Sequence, residues 1–340
     1  MRSRKCDLDD AYLFNALPLK LRLGKLFNKV DPAYFSSFGK IFLQGPFPFG
    51  HECVAEVIEV GDDVRKLKCG DVVSVPFQIS CGNCMNCSAG YTHACNNTPP
   101  TSTYGFGKHL EFGGAASDLI KVPFADAMLI PIPPEIDALH LASLSDNIPD
   151  AYRTVGPHLE NNPEKSVLIL GGVAKSIGLY AVVLAKALGS PLIDYVDYDD
   201  ERRSSALRSG ANNVFASFSQ ISRKYDIVVD ASSNKKGLDT AIRSLAKGGV
   251  CTAVGIYMRK TCFPFIDMYT NGGTFITGFA NAQPNALKAL DLIKKKKLDL
   301  SLVTSTLSTW DNAIDAFLTK STKVIVHRER EFVPKIEQSN

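Results

Sequence analysis

The sequence lacks long hydrophobic runs and an excess of charge of either sign. No stretch reaches the roughly 18 apolar residues that a membrane-spanning helix requires. Lys and Arg exceed Asp and Glu by only 38 to 35, so no strong basic field attracts nucleic acid or acidic lipid. The one dense basic run, at 294–297, follows the amphipathic pattern ALKALDLI and is typical of the solvated last turn of a helix. These absences predict that the protein binds neither membranes nor nucleic acids.

The first residues, MRSRKCDLDDAYLF, also lack the apolar core of a secretory signal peptide. This absence predicts a cytoplasmic location, where the nine cysteines serve as metal ligands or buried thiols rather than as disulfides. Internal repeats and low-complexity segments are absent too. A chain of 340 residues with 45% apolar and 21% charged residues has the composition of a globular protein of about two domains.

Four of the cysteines lie close together, in the run CGNCMNCSAGYTHAC. The spacing of Cys81, Cys84, Cys87 and Cys95 is C-x2-C-x2-C-x7-C. Four thiolates close a tetrahedron around Zn²⁺ and leave no position for water, which makes such a site structural rather than catalytic. A disulfide pair or a coincidence is the alternative, and the short spacing in a reducing compartment disfavours both.

The sequence changes in character along its length. Up to about Pro134 it is rich in Gly, Pro and short β-branched runs, such as VAEVIEVG at 54–61 and DVVSVPF at 71–77. Short strands with frequent turns predict an irregular, mostly antiparallel β region. From about Ser166 onward, short apolar runs occur instead at 166–170, 191–196, 226–230, 250–254 and 274–278.

Helical patterns separate most of these later runs. One covers 175–188, with Gly189 as its predicted C-cap, and another covers 238–245. Strands that alternate with helices predict βαβ units and a parallel sheet that is buried on both faces. The fold class predicted for the chain is therefore α/β, with a preceding β domain. The last residues, 329–340, read as a polar tail.

A glycine-rich turn follows the first of the later apolar runs. SVLIL is succeeded by GGVAKSIG and then by the pattern of a helix. Glycines at a strand-to-helix turn let the backbone approach a pyrophosphate, and the helix N-terminus favours its negative charge. The match to G-x-G-x-x-G is imperfect, because Val173 and Lys175 stand where glycine is usual.

The next strand ends at an acidic residue, Asp197, about 25 residues after the first glycine. An acid at this place accepts hydrogen bonds from the adenosine ribose and repels a 2′-phosphate, which favours NAD over NADP. The alternative is a solvated carboxylate at a strand end, a role that suits Asp199, Asp200 and Glu201 better. The predicted cofactor-binding residues are Gly171, Gly172, Ser176, Ile177, Gly178, Asp197 and Arg202.

Several motifs together resemble a known family. GHECVAEVIEVGDDVRKLKCGDVV, the four-cysteine segment, the strand–helix half and the closing KVIV at 323–326 are similar to the zinc-dependent medium-chain alcohol dehydrogenases. The resemblance runs from Cys6 to about His327. It implies a GroES-like catalytic domain over 1–140, with the structural zinc lobe at 81–95, completed by roughly 290–330. A Rossmann NAD-binding domain with a doubly wound parallel sheet is implied over 141–289.

The resemblance further implies a catalytic zinc between the two domains. The family's first ligand lies in C-G-[ST]-D, which CDLD matches here, so Cys6 is implied. His51 of the GHE motif is the second ligand, with Glu52 in support or as an exchanging ligand. The third is Asp146, in an L-S-D segment like that of the glutathione-independent formaldehyde dehydrogenase subgroup. One Cys, one His and one carboxylate leave a fourth position for substrate, as catalytic zinc sites do. A buried thiol for Cys6 and a helix N-cap for Asp146 are the alternatives.

The sequence departs from the family in two respects near Cys6. Leu8 stands where a hydroxyl relays the proton of the alcohol, so Tyr12 or a water beside Glu52 would have to replace it. Only residues 1–5 precede Cys6, whereas the family carries two or more strands there. We therefore expect either a misplaced start codon or a catalytic domain that is shortened at its N-terminus.

Three functions are consistent with these patterns. The first is a zinc-dependent oxidoreductase that transfers a hydride between a small alcohol or aldehyde and NAD(H). It would hold two zinc ions per chain and form a homodimer or homotetramer through the last strand, at 274–278. The second is a catalytically impaired relative that still binds zinc and NAD. The third is a zinc-independent quinone-type reductase, which the four-cysteine segment and the GHE motif disfavour.

Overall fold

The structure is a computed structural model that describes residues 2–5, 48–105, 110–257, 260–296 and 298–328. The predictions that concern Cys6, Leu8, Tyr12 and the tail at 329–340 lie outside these residues.

Within the described ranges the chain forms short strands and helices in two regions. The strands are β1 (Arg2–Lys5), β2 (Glu52–Glu56), β3 (Val72–Ser74), β4 (Ile130–Pro131), β5 (Val167–Leu170), β6 (Ile193–Val196), β7 (Asn213–Phe215), β8 (Tyr225–Asp230), β9 (Leu245–Ala253), β10 (Thr274–Thr277), β11 (Thr306–Thr309) and β12 (Val324–His327). The helices are α1 (Met85–Ser88), α2 (Ala125–Met128), α3 (Asn147–Leu159), α4 (Lys175–Ala187), α5 (Asp200–Arg208), α6 (Lys235–Arg243), α7 (Phe265–Asn271), α8 (Ala282–Lys296) and α9 (Ala313–Leu318). Short 3₁₀ helices include Thr92–Ala94 and Ala138–Ser145.

The first sheet has six strands in the order β11-β12-β1-β2-β3-β4. Its neighbours pair antiparallel, except for the parallel pair β11 and β12. The predicted antiparallel character of this region is thus confirmed. Strand β2 ends at Glu56, earlier than the predicted run at 54–61, because Val57 continues only through isolated backbone hydrogen bonds with Gly70 and Asp71.

The second sheet has six strands in the order β10-β9-β8-β5-β6-β7. Every neighbouring pair is parallel. Counted from β5, this is the strand order of the doubly wound Rossmann sheet, in which ligands bind at the carboxyl ends of the strands where the winding reverses. The structure confirms the predicted α/β fold with a parallel sheet.

The core of this second sheet follows from its alternating apolar residues. Val167 and Ile169 of β5 pack into one buried cluster with helices α3 and α4, whereas Leu168 and Leu170 pack into a second cluster with α6. Successive side chains of a strand point to opposite faces. Both faces are therefore covered, as a parallel sheet requires.

Two helices differ from their predicted bounds. Helix α4 ends at Ala187, one residue before the predicted end. Helix α6 occupies Lys235–Arg243 rather than 238–245, because the Asn234 side chain caps its N-terminus and Leu245 already begins β9. No helix in the described ranges is long and apolar enough to cross a membrane.

Candidate functional site

The four predicted zinc cysteines lie together in the structure. Their sulfur atoms are all within 4.8 Å of one another, and the four residues are free thiols. Cys84 Sγ and Cys95 Sγ are 4.0 Å apart. Two sulfurs on a tetrahedral zinc, with Zn–S bonds of about 2.3 Å, lie about 3.8 Å apart. The cluster therefore fits a closed four-thiolate zinc site.

Backbone and side-chain amides surround these sulfur atoms. Asn96 N and Cys87 N donate to Cys84 Sγ at 3.3 and 3.5 Å, and Cys81 N donates to Cys95 Sγ at 3.4 Å. The Asn97 side-chain amide donates to Cys81 Sγ at 3.3 Å. The N–H groups of Asn96 and Cys87 lower the pKa of the Cys84 thiol to about 6. Amide donors of this kind stabilise the thiolate, which is the form that binds zinc.

The second predicted metal site brings together His51 and Asp146. His51 precedes β2 and is buried, and its Nε2 lies 3.4 Å from Asp146 Oδ2. A nitrogen and an oxygen bound to one tetrahedral zinc at about 2.1 Å are separated by about 3.4 Å. Two predicted ligands, 95 residues apart in the sequence, thus lie at a distance that is compatible with a shared metal ion. The third predicted ligand, Cys6, lies outside the described residues.

Asp146 occupies the N-cap position of α3, but its side chain does not cap the helix. A capping aspartate would accept a hydrogen bond from the second or third backbone N–H of the helix. Here the carboxylate is directed at His51 instead, and its side chain is only 16% exposed. The geometry therefore speaks against a capping role for Asp146, which was the alternative to a metal ligand.

A buried polar chain continues from these two residues. When the side-chain amide of Asn147 is oriented so that its nitrogen faces an acceptor and its oxygen faces donors, the nitrogen donates to Asp146 Oδ2 at 2.9 Å. It then accepts from Ser176 Oγ at 2.8 Å and from the Lys323 ammonium at 2.9 Å. The Lys323 ammonium also donates to Glu52 Oε2, and neither of these two side chains is exposed. Glu52 is thereby held next to His51 by an ion pair, which agrees with its predicted supporting role.

Two residues of this hydrogen-bonded network, Asn147 and Lys323, are not among the site residues predicted from the sequence. A lysine directly before the apolar run VIV was a usable signal, because a lysine at the start of a buried strand requires a partner. Ser176 was predicted to bind cofactor, and the structure places its hydroxyl against Asn147 at the start of α4. The predicted site at His51 and Asp146 is therefore connected to the helix of the glycine-rich turn through the hydrogen bond between Asn147 and Ser176.

The glycine-rich turn lies tightly between β5 and α4. A Cβ at Gly171 would meet Asp197 Oδ2 at 2.4 Å, and a Cβ at Gly172 would meet the backbone of Ser232 at 2.7 Å. Gly178 has only ordinary contacts, with Ile169 among them. The first two glycines permit a close approach of the backbone, whereas the packing of α4 on the sheet leaves room for a methyl group at Gly178. Ile177 lies buried beside Gly178 in the same helix.

Asp197 directly follows β6, with its side chain 1% exposed. Its carboxylate accepts from Arg202 Nε and Nη2, both at 2.7 Å, from Tyr195 Oη at 3.0 Å and from Asp199 N at 2.9 Å. Four donors fill the acceptor positions of a carboxylate. Asp197 and Arg202 therefore form one unit at the predicted ribose site, so a ribose would have to displace part of this set to reach the carboxylate.

A second charged pair lies farther along α3. Asp150 accepts from Arg153 Nε, and Arg153 Nη2 donates to Gly278 O at 2.9 Å and to Ala253 O at 3.3 Å. Burial, opposed by Arg153, raises the pKa of Asp150 to about 6. These contacts fix α3, which begins next to Asp146, against the carboxyl ends of β9 and β10. No local pattern in the sequence indicates these contacts.

Comparison with known families matches both halves of the chain. The profile described as "Alcohol dehydrogenase GroES-like domain" matches residues 27–134, and that described as "Zinc-binding dehydrogenase" matches residues 176–295. Together they cover about two thirds of the sequence. The first match includes His51 and the cysteine cluster, and the second begins at Ser176.

Individual relatives are similar over part of their length. A glutathione-independent formaldehyde dehydrogenase of Bacillus subtilis is 36% identical over 172 residues, which are 48% of this chain and 41% of that protein. An L-threonine 3-dehydrogenase of Burkholderia thailandensis is 31% identical over 238 residues, which are 67% of this chain and 65% of that protein. The matched parts thus amount to less than two thirds of either relative.

Solved structures share the fold. The alcohol dehydrogenase TADH from Thermus sp. ATN1 superposes with a TM-score of 0.77 and 24% identity, over 96% of this chain and 90% of that one. An acetophenone reductase from Geotrichum candidum, solved in complex with NAD, has a TM-score of 0.73 and 19% identity, over 97% and 89%.

Proposed function

Because the chain belongs to the zinc-dependent medium-chain alcohol dehydrogenase family, we propose that it transfers a hydride between an alcohol or aldehyde and NAD(H). The observation that carries the proposal is the convergence of His51 Nε2 and Asp146 Oδ2 at 3.4 Å in a buried site. Asn147 then links this site to Ser176 on the helix of the glycine-rich turn. A metal site beside a dinucleotide fold is the arrangement that metal-assisted hydride transfer requires.

The proposed catalytic metal site consists of Cys6, His51 and Asp146. A zinc ion held there supplies a Lewis acid that favours the ionised form of the alcohol. His51 and Asp146 would hold the ion together with Cys6, and the burial of His51 would exclude water from its side of the site. Glu52, which forms an ion pair with Lys323, places a carboxylate next to His51, and its side chain is not exposed to solvent. The cysteine cluster is proposed to hold a second, structural zinc, for two ions per chain.

The proposed cofactor is NAD, bound across the carboxyl ends of the parallel strands. Gly171 and Gly172 allow the close backbone approach, and the N-terminus of α4 favours the pyrophosphate charge. At the ribose end we propose that the hydroxyls take over acceptor positions on Asp197 that Arg202 now occupies. Asp199 and Asp200 add negative charge nearby, which disfavours the 2′-phosphate of NADP.

Metal analysis and turnover test the proposal together. We expect two zinc ions per chain by elemental analysis and NADH formation with a panel of short alcohols. His51→Ala should retain one zinc, lose turnover and keep its NADH affinity. Met85→Ala, at an exposed residue of the cysteine segment 81–95, should behave as the wild type. A content of one zinc in the wild-type protein would contradict a catalytic metal site. Unchanged turnover in His51→Ala would contradict the role of His51.

A cofactor experiment tests the ribose site separately. Asp197→Ala should lose most of the preference for NAD over NADP, measured as the ratio of kcat/KM values. Asp239→Ala is the control, since the exposed Asp239 side chain pairs with Arg243 within α6 and does not lie at the end of β6. An unaltered preference in Asp197→Ala would show that the ribose is bound elsewhere.

The same proposal includes the domain division 1–140 with 290–330, and 141–289, and a cytoplasmic location. A homodimer or homotetramer is proposed through β10, which is the outer strand of its sheet. Next to it, α7 exposes Phe265, Ile266 and Tyr269. Light scattering after gel filtration should give two or four chains for the wild type and a lower mass for Phe265→Glu.

A further inference from the structure

Residues 278–281 connect the last parallel strand, β10, to helix α8, and we call them the 278–281 linker. The linker lies at the carboxyl edge of the sheet, where a dinucleotide binds in a doubly wound fold. It stands on the side of β8, β9 and β10, away from Asp197 at the end of β6. This is the half of the edge that remains for the nicotinamide when the adenosine lies near Asp197. The position of the linker therefore bears on that half of the cofactor.

The linker contacts the cysteine lobe, residues 81–95, through His93. The backbone N–H of His93 and its ring Nδ1 both approach Asn281 Oδ1, at 3.4 and 2.6 Å. Since the amide oxygen can only accept, Nδ1 carries the hydrogen. The His93 ring also stacks on Phe279, with centroids 5.0 Å apart and an angle of 26°. One residue of the lobe thus holds two residues of the linker.

A second connection runs through Gln78. Its Oε1 accepts from Ala282 N at 2.9 Å and from Thr92 Oγ1 at 3.4 Å. Gln78 and Thr92 are both buried, so water does not compete for these hydrogen bonds. The 3₁₀ turn Thr92–Ala94 consequently holds the linker at Asn281 and at the first residue of α8.

The backbone of the linker depends on these contacts. Asn281 has a φ of +44°, in the left-handed region that is unfavourable for a residue with a side chain. Such a conformation persists where its surroundings fix it. At the other end of the linker, Arg153 donates to Gly278 O. The linker is thus held from the cysteine lobe on one side and from α3, which starts at the proposed catalytic metal site, on the other.

The turn that makes these contacts lies between the third and fourth cysteines of the cluster. A 3₁₀ turn of three residues has no stability of its own, so its shape is set by the ends that Cys87 and Cys95 hold. We propose that His93 and Asn281 are positioning residues that couple the zinc-folded cysteine lobe to the nicotinamide side of the dinucleotide site. The inference rests on the proposed function, because it takes the cofactor to be a nicotinamide dinucleotide.

Two variants test the coupling. His93→Ala removes the ring contacts, and Asn281→Gly removes the acceptor oxygen while tolerating the left-handed backbone. Both should raise the dissociation constant of NADH about 5- to 10-fold in a fluorescence titration. The dissociation constant of ADP, a probe of the adenosine half alone, should stay unchanged, as should the zinc content. Met85→Ala is the control, since Met85 is an exposed residue of the same lobe.

Hydrogen exchange measures the coupling without turnover. Amide exchange in a peptide covering 274–286 should become faster in both variants, and withdrawal of zinc from the wild type should have the same effect. Equal exchange and equal NADH affinity in His93→Ala and wild type would overturn the inference and leave the proposed function intact. A general loss of fold would weaken ADP and NADH binding alike, which would also count against it. If the wild type bound no NADH, the proposed function itself would fail.

Discussion

The Lys323 ammonium and the Glu52 carboxylate form an ion pair in which neither side chain is exposed to solvent. The pair joins β2 to the start of β12 across 271 residues of sequence. Asn147 adds a second partner for each of them, since its backbone N–H donates to Glu52 Oε1 and its side-chain oxygen accepts from Lys323. The Glu52 side chain, next to His51, is therefore held at both of its carboxylate oxygens.

We expect the loss of one partner of this pair to be costly, because the other charge would remain buried alone. Lys323→Met should lower the free energy of unfolding by about 3–5 kcal/mol. The double variant Glu52→Gln, Lys323→Met should lose clearly less than the sum of the two single variants. Urea denaturation of all three measures this coupling. Lys288→Met is the control, because its pair with Glu160 is exposed and long at 3.9 Å and contributes under about 1 kcal/mol.

Removal of a cysteine from the lobe should remove one zinc ion. Cys87→Ala eliminates a buried member of the cluster, and we expect the zinc content to fall by one per chain. The unfolding midpoint should fall by several degrees, at about 2–4 °C per kcal/mol for a domain of this size. Elemental analysis and calorimetry measure both effects. Cys69→Ala, at an exposed cysteine outside the lobe, should change neither the zinc content nor the unfolding midpoint. An equal loss of zinc in Cys69→Ala would mean that the cluster is not the metal site.

Alanine should have different effects at Gly171, at the start of the glycine-rich turn, and at Gly178, in the helix that follows the turn. Gly171→Ala places a methyl group 2.4 Å from Asp197 Oδ2 and 2.5 Å from Tyr195 Oη, so we expect a loss of about 1–3 kcal/mol of stability and weaker NADH binding. At Gly178 an added methyl has contacts no shorter than 3.5 Å. Gly178→Ala lies within a helix, where alanine is favoured by about 1 kcal/mol, and should be neutral or stabilising. Thermal unfolding distinguishes the two; equal losses would mean that the turn is not packed as described.

Asp126 should contribute to stability only above acidic pH. Its carboxylate accepts from the backbone N–H groups of Lys66 and Arg65, which lower its pKa. Because the pKa of Asp126 is lower in the folded state, its ionised carboxylate contributes fully to the stability of the fold above about pH 4. This contribution is lost as the pH falls through the folded-state pKa. Asp126→Asn should therefore flatten the decline of unfolding free energy between about pH 4 and pH 2. Asp63→Asn, in the adjoining turn, should leave the decline as it is.

Local patterns in the sequence predicted the parts of the molecule that local contacts build. The spacing of the four cysteines was sufficient, because the ligands of that site lie in one loop. The bounds of strands β5, β6 and β8 were predicted to within two residues, since their apolar runs are bounded by turns. The start of α6 was missed by three residues, although Asn234, whose side chain caps it, is visible in the sequence as a capping signal.

Contacts between distant segments could not be predicted in the same way. The occupation of Asp197 by Arg202 needs the orientation of α5 against β6, and the bond from Arg153 to Gly278 O needs that of α3 against β10. The ion pair of Glu52 with Lys323 depends on β12 lying in the same sheet as β2. These relations arise from packing, on which the local sequence has little influence.

The position of β1 has a consequence for the order in which the chain folds. Arg2 pairs with Val54 on one side and with His327 on the other, so the strand lies between segments from opposite ends of the sequence. The parallel sheet, by contrast, uses only the continuous stretch from β5 to β10. During synthesis the parallel sheet can form as a unit, whereas the antiparallel sheet must wait for β12 to emerge and close a loop of nearly the whole chain. We expect the segment with the four cysteines to be synthesised early and the antiparallel sheet to be completed last, so zinc could bind the cysteines before β12 completes this sheet.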